Sequence, residues 1–166
     1  MSRLADALDR IRFAREYSSW LVDSIPHSEW FRSPDEVVTH LAWQVGHMAI
    51  AQYRLCLVQL RGPKPEDDAF FPPKFLDAFK RDSVPVSDPA SYPSPSDIRT
   101  VYDAVHTHLL EELAGYPDAD LDSPVRTPHR LCKTKIDSVR WCSAHELVHA
   151  GQVGLLRRLF GEKPLW

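Results

Sequence analysis

The sequence predicts an all-α protein, a four-helix bundle, on three observations. Four stretches of comparable length carry apolar residues at helical spacing, each bounded by capping or stop residues. No alternation long enough for a strand occurs, and no internal repeat is evident. The length, 166 residues and 19.0 kDa, suits a single domain over residues 1–166 with one sizeable core.

Leu4, Leu8, Ile11, Leu21 and Ile25 lie near one face of a first helix over residues 2–25, which Pro26 helps to end. In "SPDE" Ser33 is placed to cap, Pro34 suits the first helical position and Glu36 completes a capping box, so a second helix is expected from 34 to Gly62. Val37, Val38, Leu41, Trp43, Val45, Met48, Ile50, Leu55, Val58 and Leu60 make it apolar nearly all round, which predicts burial on more than one side. Residues 63–95 hold eight of the fourteen prolines, too many for a long helix, with "KFLDAFK" good for one or two turns. "SPSD" at 94–97 opens a third helix marked by Ile98, Val101, Tyr102, Val105, Leu109 and Leu113 and stopped at Gly115. After an irregular stretch at 116–134, Thr134 and Asp137 open a fourth helix that runs to Phe160, with Gly161 as its stop.

Composition narrows the function. Twenty Lys and Arg against 23 Asp and Glu, a formal charge of −3, form a poor footprint for nucleic acid or an anionic membrane. The N-terminal residues intersperse charges at helical spacing, so neither a signal peptide nor a membrane span is expected, and the expected compartment is the cytoplasm. Cys56, Cys132 and Cys142 are an odd set without C-x-x-C spacing, which predicts reduced thiols.

Cys142, His145, His149, Gln152, Leu156 and Leu159 form a stripe on the fourth helix at alternating spacings of three and four, half of it polar. Imidazoles at i and i+4 project from one side and are able to bind one ion. Taken alone, such a pair reads equally well as two separate core or surface histidines. The second helix adds a matching stripe, His40, Gln44, His47, Ala51 and Arg54, on an otherwise apolar surface. A buried polar seam there needs partners, because an unpaired buried polar group costs on the order of 1–3 kcal/mol. If the two stripes face each other, His47 completes a set of three with His145 and His149, leaving room on an ion for water or substrate.

"HELVH" at 145–149 matches the zinc-protease pattern H-E-x-x-H, but the extended protease motif needs Gly at 152 and His at 155, where Gln152 and Leu155 stand. Glu162 is the one downstream carboxylate, and it follows the stop at Gly161. The motif therefore reads as H-x-x-x-H with a secondary glutamate. Around it, Glu146 is a candidate general base, with a surface or interhelical role favoured two to one. Gln152 is a candidate to bond a ligand histidine or substrate, or else a seam contact. Arg54 suits a carboxylate of a substrate or of the protein. His40, about 10 Å from His47 by helical rise, suits a cavity wall or cap better than an ion. Cys142 is either near the site or a small buried hydrophobe. Arg157 and Arg158 complement the dipole of their helix. His27, His106, His108 and His129 have no companion at ligand spacing.

"HLAWQVGHMA" at 40–49, "SYPSPSDI" at 91–98 and "HELVHAGQVGLLRRLFG" at 145–161 resemble, in that order, the corresponding segments of DinB-like proteins of the DinB/YfiT superfamily. The closing G-Q-x-x-x-L-R-R-x-x-G run is the most specific. The resemblance implies an up-down-down-up four-helix bundle with a long crossover between helices two and three, a frequent homodimer, and a divalent ion (nickel, zinc, iron or manganese) held by three histidines. Carried over, the ligands are His47, His145 and His149. The resemblance leaves the reaction open, since relatives include thiol-dependent S-transferases, an isomerase acting with a low-molecular-weight thiol and metal-dependent hydrolases; a metal-dependent S-transferase that uses a low-molecular-weight thiol on a small molecule is the first choice. The alternatives are a metal-dependent hydrolase and a non-catalytic metal-binding or interaction bundle.

Overall fold

The structure, a computed structural model, describes residues 2–165. Met1 and Trp166, the ends of the expected 1–166 span, lie outside the described residues. All regular structure among the described residues is helical, and the one β-bridge joins Pro124 to Thr134. Among the described residues no helix is long and apolar enough to cross a membrane.

Helix α1 spans Arg3–Asp23 and is capped by the Ser2 hydroxyl, which accepts from the Ala5 amide. It buries Leu4, Ala7, Leu8, Ile11, Ala14, Leu21 and Val22, together with the polar Arg15 and Ser18. The second helix begins later than its sequence suggests. Residues 33–40 are not helical, and α2 starts at Leu41 (Leu41–Gln52), so Ser33 caps nothing and Val38 is 92% exposed.

One longer-range anchor and one local cap explain the shift. The Trp30 carbonyl accepts from the Ala42 amide at 2.9 Å, and the His40 Nδ1 accepts from the Trp43 amide at 3.1 Å. With Trp30 and His40 both buried, they hold the start of the helix in place. The β-branched run Val37, Val38, Thr39 has little intrinsic helicity to oppose them.

The rod continues from α2 through a π-helical turn, Tyr53–Val58, to a last α-helical turn, Gln59–Arg61. A π turn pushes a carbonyl off the regular ladder. Here the Ser138 hydroxyl donates to the Leu55 carbonyl at 2.7 Å. Gly62 ends the rod at φ 85°, a conformation open to glycine.

The proline-rich stretch is anchored rather than loose. Within it, α3 (Pro73–Phe79) buries Phe75 and Phe79, and Tyr53 stacks on Phe71 with ring centroids 4.3 Å apart. Asp67, 3% exposed, accepts from the Tyr53 hydroxyl, both Arg61 Nη atoms and the Lys64 amide. Helix α4 (Pro95–Ala114) is capped by Ser94 and ends at Gly115, whose φ of −106° requires no glycine. Helix α5 (Lys135–Leu159) carries the expected capping box between Thr134 and Asp137, and Gly161 follows at φ 90°. Helix α1 packs along α5, while α2 packs against α3, α4 and α5 around one contiguous apolar cluster.

Candidate metal centre

Because α2 lies against α5, their polar stripes meet. One ring nitrogen each from His47, His145 and His149 lies within 4.8 Å of the others. The ring centroids are 5.4 Å apart for His47–His145, 4.8 Å for His47–His149 and 4.6 Å for His145–His149. Two nitrogens bound to one ion span at most about 4 Å, so small side-chain rotations close the set. The structure thus brings together the histidines that the sequence places about a hundred residues apart.

The surroundings choose the tautomers. His47 Nδ1 is 2.8 Å from the Phe79 carbonyl and His149 Nδ1 is 2.6 Å from Gln44 Oε1. Both partners are acceptors, so each Nδ1 carries the proton and each Nε2 keeps a lone pair. Gln44 is itself held by its Nε2 donating to Thr39 Oγ1 at 2.8 Å, and Trp43 stacks on His47 with centroids 4.6 Å apart and planes 8° off parallel. Gly46 makes the Phe79 contact possible. A Cβ there would stand 2.4 Å from the Phe79 ring, so a larger residue would push away the end of α3 that supplies the carbonyl. His145 Nδ1 is buried without a partner, an orphan of the kind a bound cation relieves when that atom is the ligand.

The charge state fits as well. Burial, followed by the neighbouring imidazoles, lowers His145 to about 4 and His149 to about 3. Burial also lowers His47, with the nearby charges of Arg54 and Arg81 adding to the effect against the Phe79 hydrogen bond. All three rings are therefore neutral at pH 7, as metal binding requires.

The same shifts predict the acid sensitivity of the metal-free chain. His40 and His106 are each lowered by burial to about 4, so with His47, His145 and His149 five imidazoles titrate below their ordinary 6.5 once folded. Between those values the unfolded chain binds more protons, and stability falls as pH falls. Melting temperatures measured from pH 7 to pH 4 should decline steadily; a flat profile would contradict buried neutral histidines.

A cleft of about 420 Å³ opens beside the cluster, with His47 and His145 in its wall. Arg54, Lys80, Arg81, His129 and Trp141 are among its other lining residues. His129 had no signal in the sequence, since it lies in the irregular 116–134 stretch with no partner at helical spacing.

The remaining candidates are dispersed. Glu146 is 2% exposed and accepts from Arg15 Nε at 2.8 Å, Ser18 Oγ at 2.6 Å, Gln52 Nε2 at 2.6 Å and the Tyr102 hydroxyl at 3.2 Å. Burial pushes its carboxyl up, but Arg15 and the hydrogen bonds from Arg15 and Ser18 outweigh this and hold it below the ordinary carboxylate range. Its lone pairs are committed to other helices, which leaves it poorly placed as a general base. His40 is the cap of α2 and fully buried. Gln152 is exposed and is absent from the cleft wall. Cys142 is 1% exposed, and a contact with the Cys56 thiol together with burial holds its own thiol well above the ordinary value. All three cysteines are unpaired.

Comparison with known proteins adds one finding. A family model described as the DinB superfamily matches residues 10–153. No curated protein matches the chain.

Proposed function

The chain belongs to the DinB superfamily, and from that premise we propose that His47, His145 and His149 hold one divalent ion and that the protein transfers a small thiol to an electrophilic small molecule. In this reading α1, α2, α4 and α5 are the helices of an up-down-down-up bundle, and α3 is a short insert in the crossover. The observation that carries the reading is the set of three neutral imidazoles within 4.8 Å, two of them held by acceptors at Nδ1 with Nε2 left free. Such nitrogen donors suit nickel, zinc, iron or manganese to differing degrees.

An ion held there supplies Lewis acidity, which lowers the pKa of a thiol or water brought to it. The chain's own groups position and admit. Phe79 and Gln44 fix two rings, Trp43 backs one of them, and the cleft that includes His47 and His145 gives a small molecule access. The choice of a thiol over water as nucleophile is supported by the resemblance to thiol-dependent transferases. A second copy is the protein partner this reading implies. Phe13, Leu147 and Leu155 are 62%, 38% and 48% exposed on α1 and α5, and sedimentation at the monomer mass would exclude that part.

Elemental analysis followed by a panel of cellular thiols with small electrophiles tests the function. About one ion per chain and metal-dependent thiol conjugation are expected. Metal-dependent ester cleavage without thiol would replace the reading with a hydrolase, and an ion without turnover would replace it with a binding scaffold.

A further inference from the structure

The cleft beside the histidines has a charge opposite to that of the protein. Its lining includes Arg54, Lys80 and Arg81 against the single carboxylate of Asp82, in a chain whose formal charge is −3. Low-dielectric walls concentrate such a field at the cleft. Lys80 pairs with Asp77 at 3.2 Å and Arg81 with Asp82 at 3.3 Å, both at exposed positions where such pairs are weak.

Arg54 differs from these two. It is exposed, and among the described residues no carboxylate lies within ion-pair distance of it. It stands in the π-helical turn that interrupts the rod after α2, seven residues beyond His47 and roughly 10 Å along the axis by helical rise. Arg54 lines the same cleft as His47 and His145, and its charge acts on the His47 ring. His129 adds a donor. Its Nδ1 accepts from the Leu131 and Cys132 amides, both at 3.2 Å, which leaves the proton on Nε2.

We propose that Arg54, supported by Arg81 and the Nε2–H of His129, forms an oxyanion-binding subsite beside the histidine cluster, and that the small-molecule substrate or co-substrate carries a carboxylate or phosphate group. The proposal deepens the function proposed above, since it names the substrate class of the same cleft. The subsite belongs to the chain's own residues and does not need the ion. Guanidinium is the group best matched to such oxyanions because its parallel N–H donors meet two oxygens at once.

The test uses isotope-labelled protein, both metal-free and metal-loaded, titrated separately with succinate, inorganic phosphate and the neutral analogue succinamide. The Trp141 indole N–H, identified by its loss in Trp141→Phe, reports the cleft. Saturable shifts with succinate or phosphate but not succinamide are expected, weakened at least ten-fold in Arg54→Gln and unchanged in Arg12→Gln, a distant exposed arginine on α1. Saturation by succinate alone identifies a carboxylate and by phosphate alone a phosphate ester, and either supports the subsite. Absence of saturable shifts, equal shifts with succinamide, or the same affinity in Arg54→Gln would overturn it. Because the metal-free arm stands alone, failure to load an ion sinks the metal reading without deciding this one.

Discussion

His47→Ala is expected to abolish stoichiometric binding of a divalent ion while the chain stays folded. The two imidazoles left on α5 provide only two of the three protein ligands that open metal sites use, and no other residue among the described ones joins the cluster. The loss should exceed the roughly 10–100-fold cost of removing an outer partner of a ligand histidine. Gln44→Leu, which strips the acceptor from His149 Nδ1, gives that smaller cost for comparison. His145→Ala and His149→Ala should match His47→Ala. Calorimetric titration with zinc and with nickel on proteins of native helicity decides the matter. A His47→Ala protein that keeps one tight site would break the cross-helix triad.

Glu146→Gln is expected to damage stability rather than chemistry. Arg15 is 5% exposed, and its Nε is paired with the Glu146 carboxylate across α1 and α5. Removing one charge of a buried pair strands the other, at a cost of about 3–5 kcal/mol. For a chain of this length that corresponds to a melting point lower by on the order of 10 °C. Turnover per folded molecule should stay largely intact, because the carboxylate is committed to Arg15, Ser18, Gln52 and Tyr102. A protein with wild-type stability and collapsed activity would reinstate Glu146 as a base and reopen the protease-like reading of HELVH. Glu146→Ala should be less stable again, since it also leaves the Gln52 amide without its acceptor.

The buried Glu146–Arg15 pair explains why a motif can mislead. In HELVH the glutamate sits between two histidines in sequence, yet a helix turns about 100° per residue. His145 and His149 therefore face His47 on α2, whereas Glu146 reaches Arg15 and Ser18 on α1, Tyr102 on α4 and Gln52 at the last residue of α2. The same five letters thus serve two separate seams, one bearing the histidine cluster and one holding an ion pair.

What the amino-acid order determined by itself was local. Ser94, Thr134 with Asp137, Gly62 and Gly161 mark helix ends because capping is settled by groups within three or four residues of each other. The i, i+4 pair His145 and His149 and the polar stripe around His47 were legible for the same reason, and the order of three short segments along the chain carried the resemblance to the superfamily. Tertiary structure decided the rest. The start of α2 moved from Pro34 to Leu41 because Trp30, fixed by packing, supplies its carbonyl to the Ala42 amide from outside any local pattern, and because burial of His40 makes its ring, rather than Ser33, the cap. The Phe79 carbonyl reaches His47 from 32 residues away, and His129 joins the cleft from an irregular stretch. Those contacts depend on how helices and loops settle around one core, and the free energy that selects among packings belongs to the whole chain rather than to any window of it.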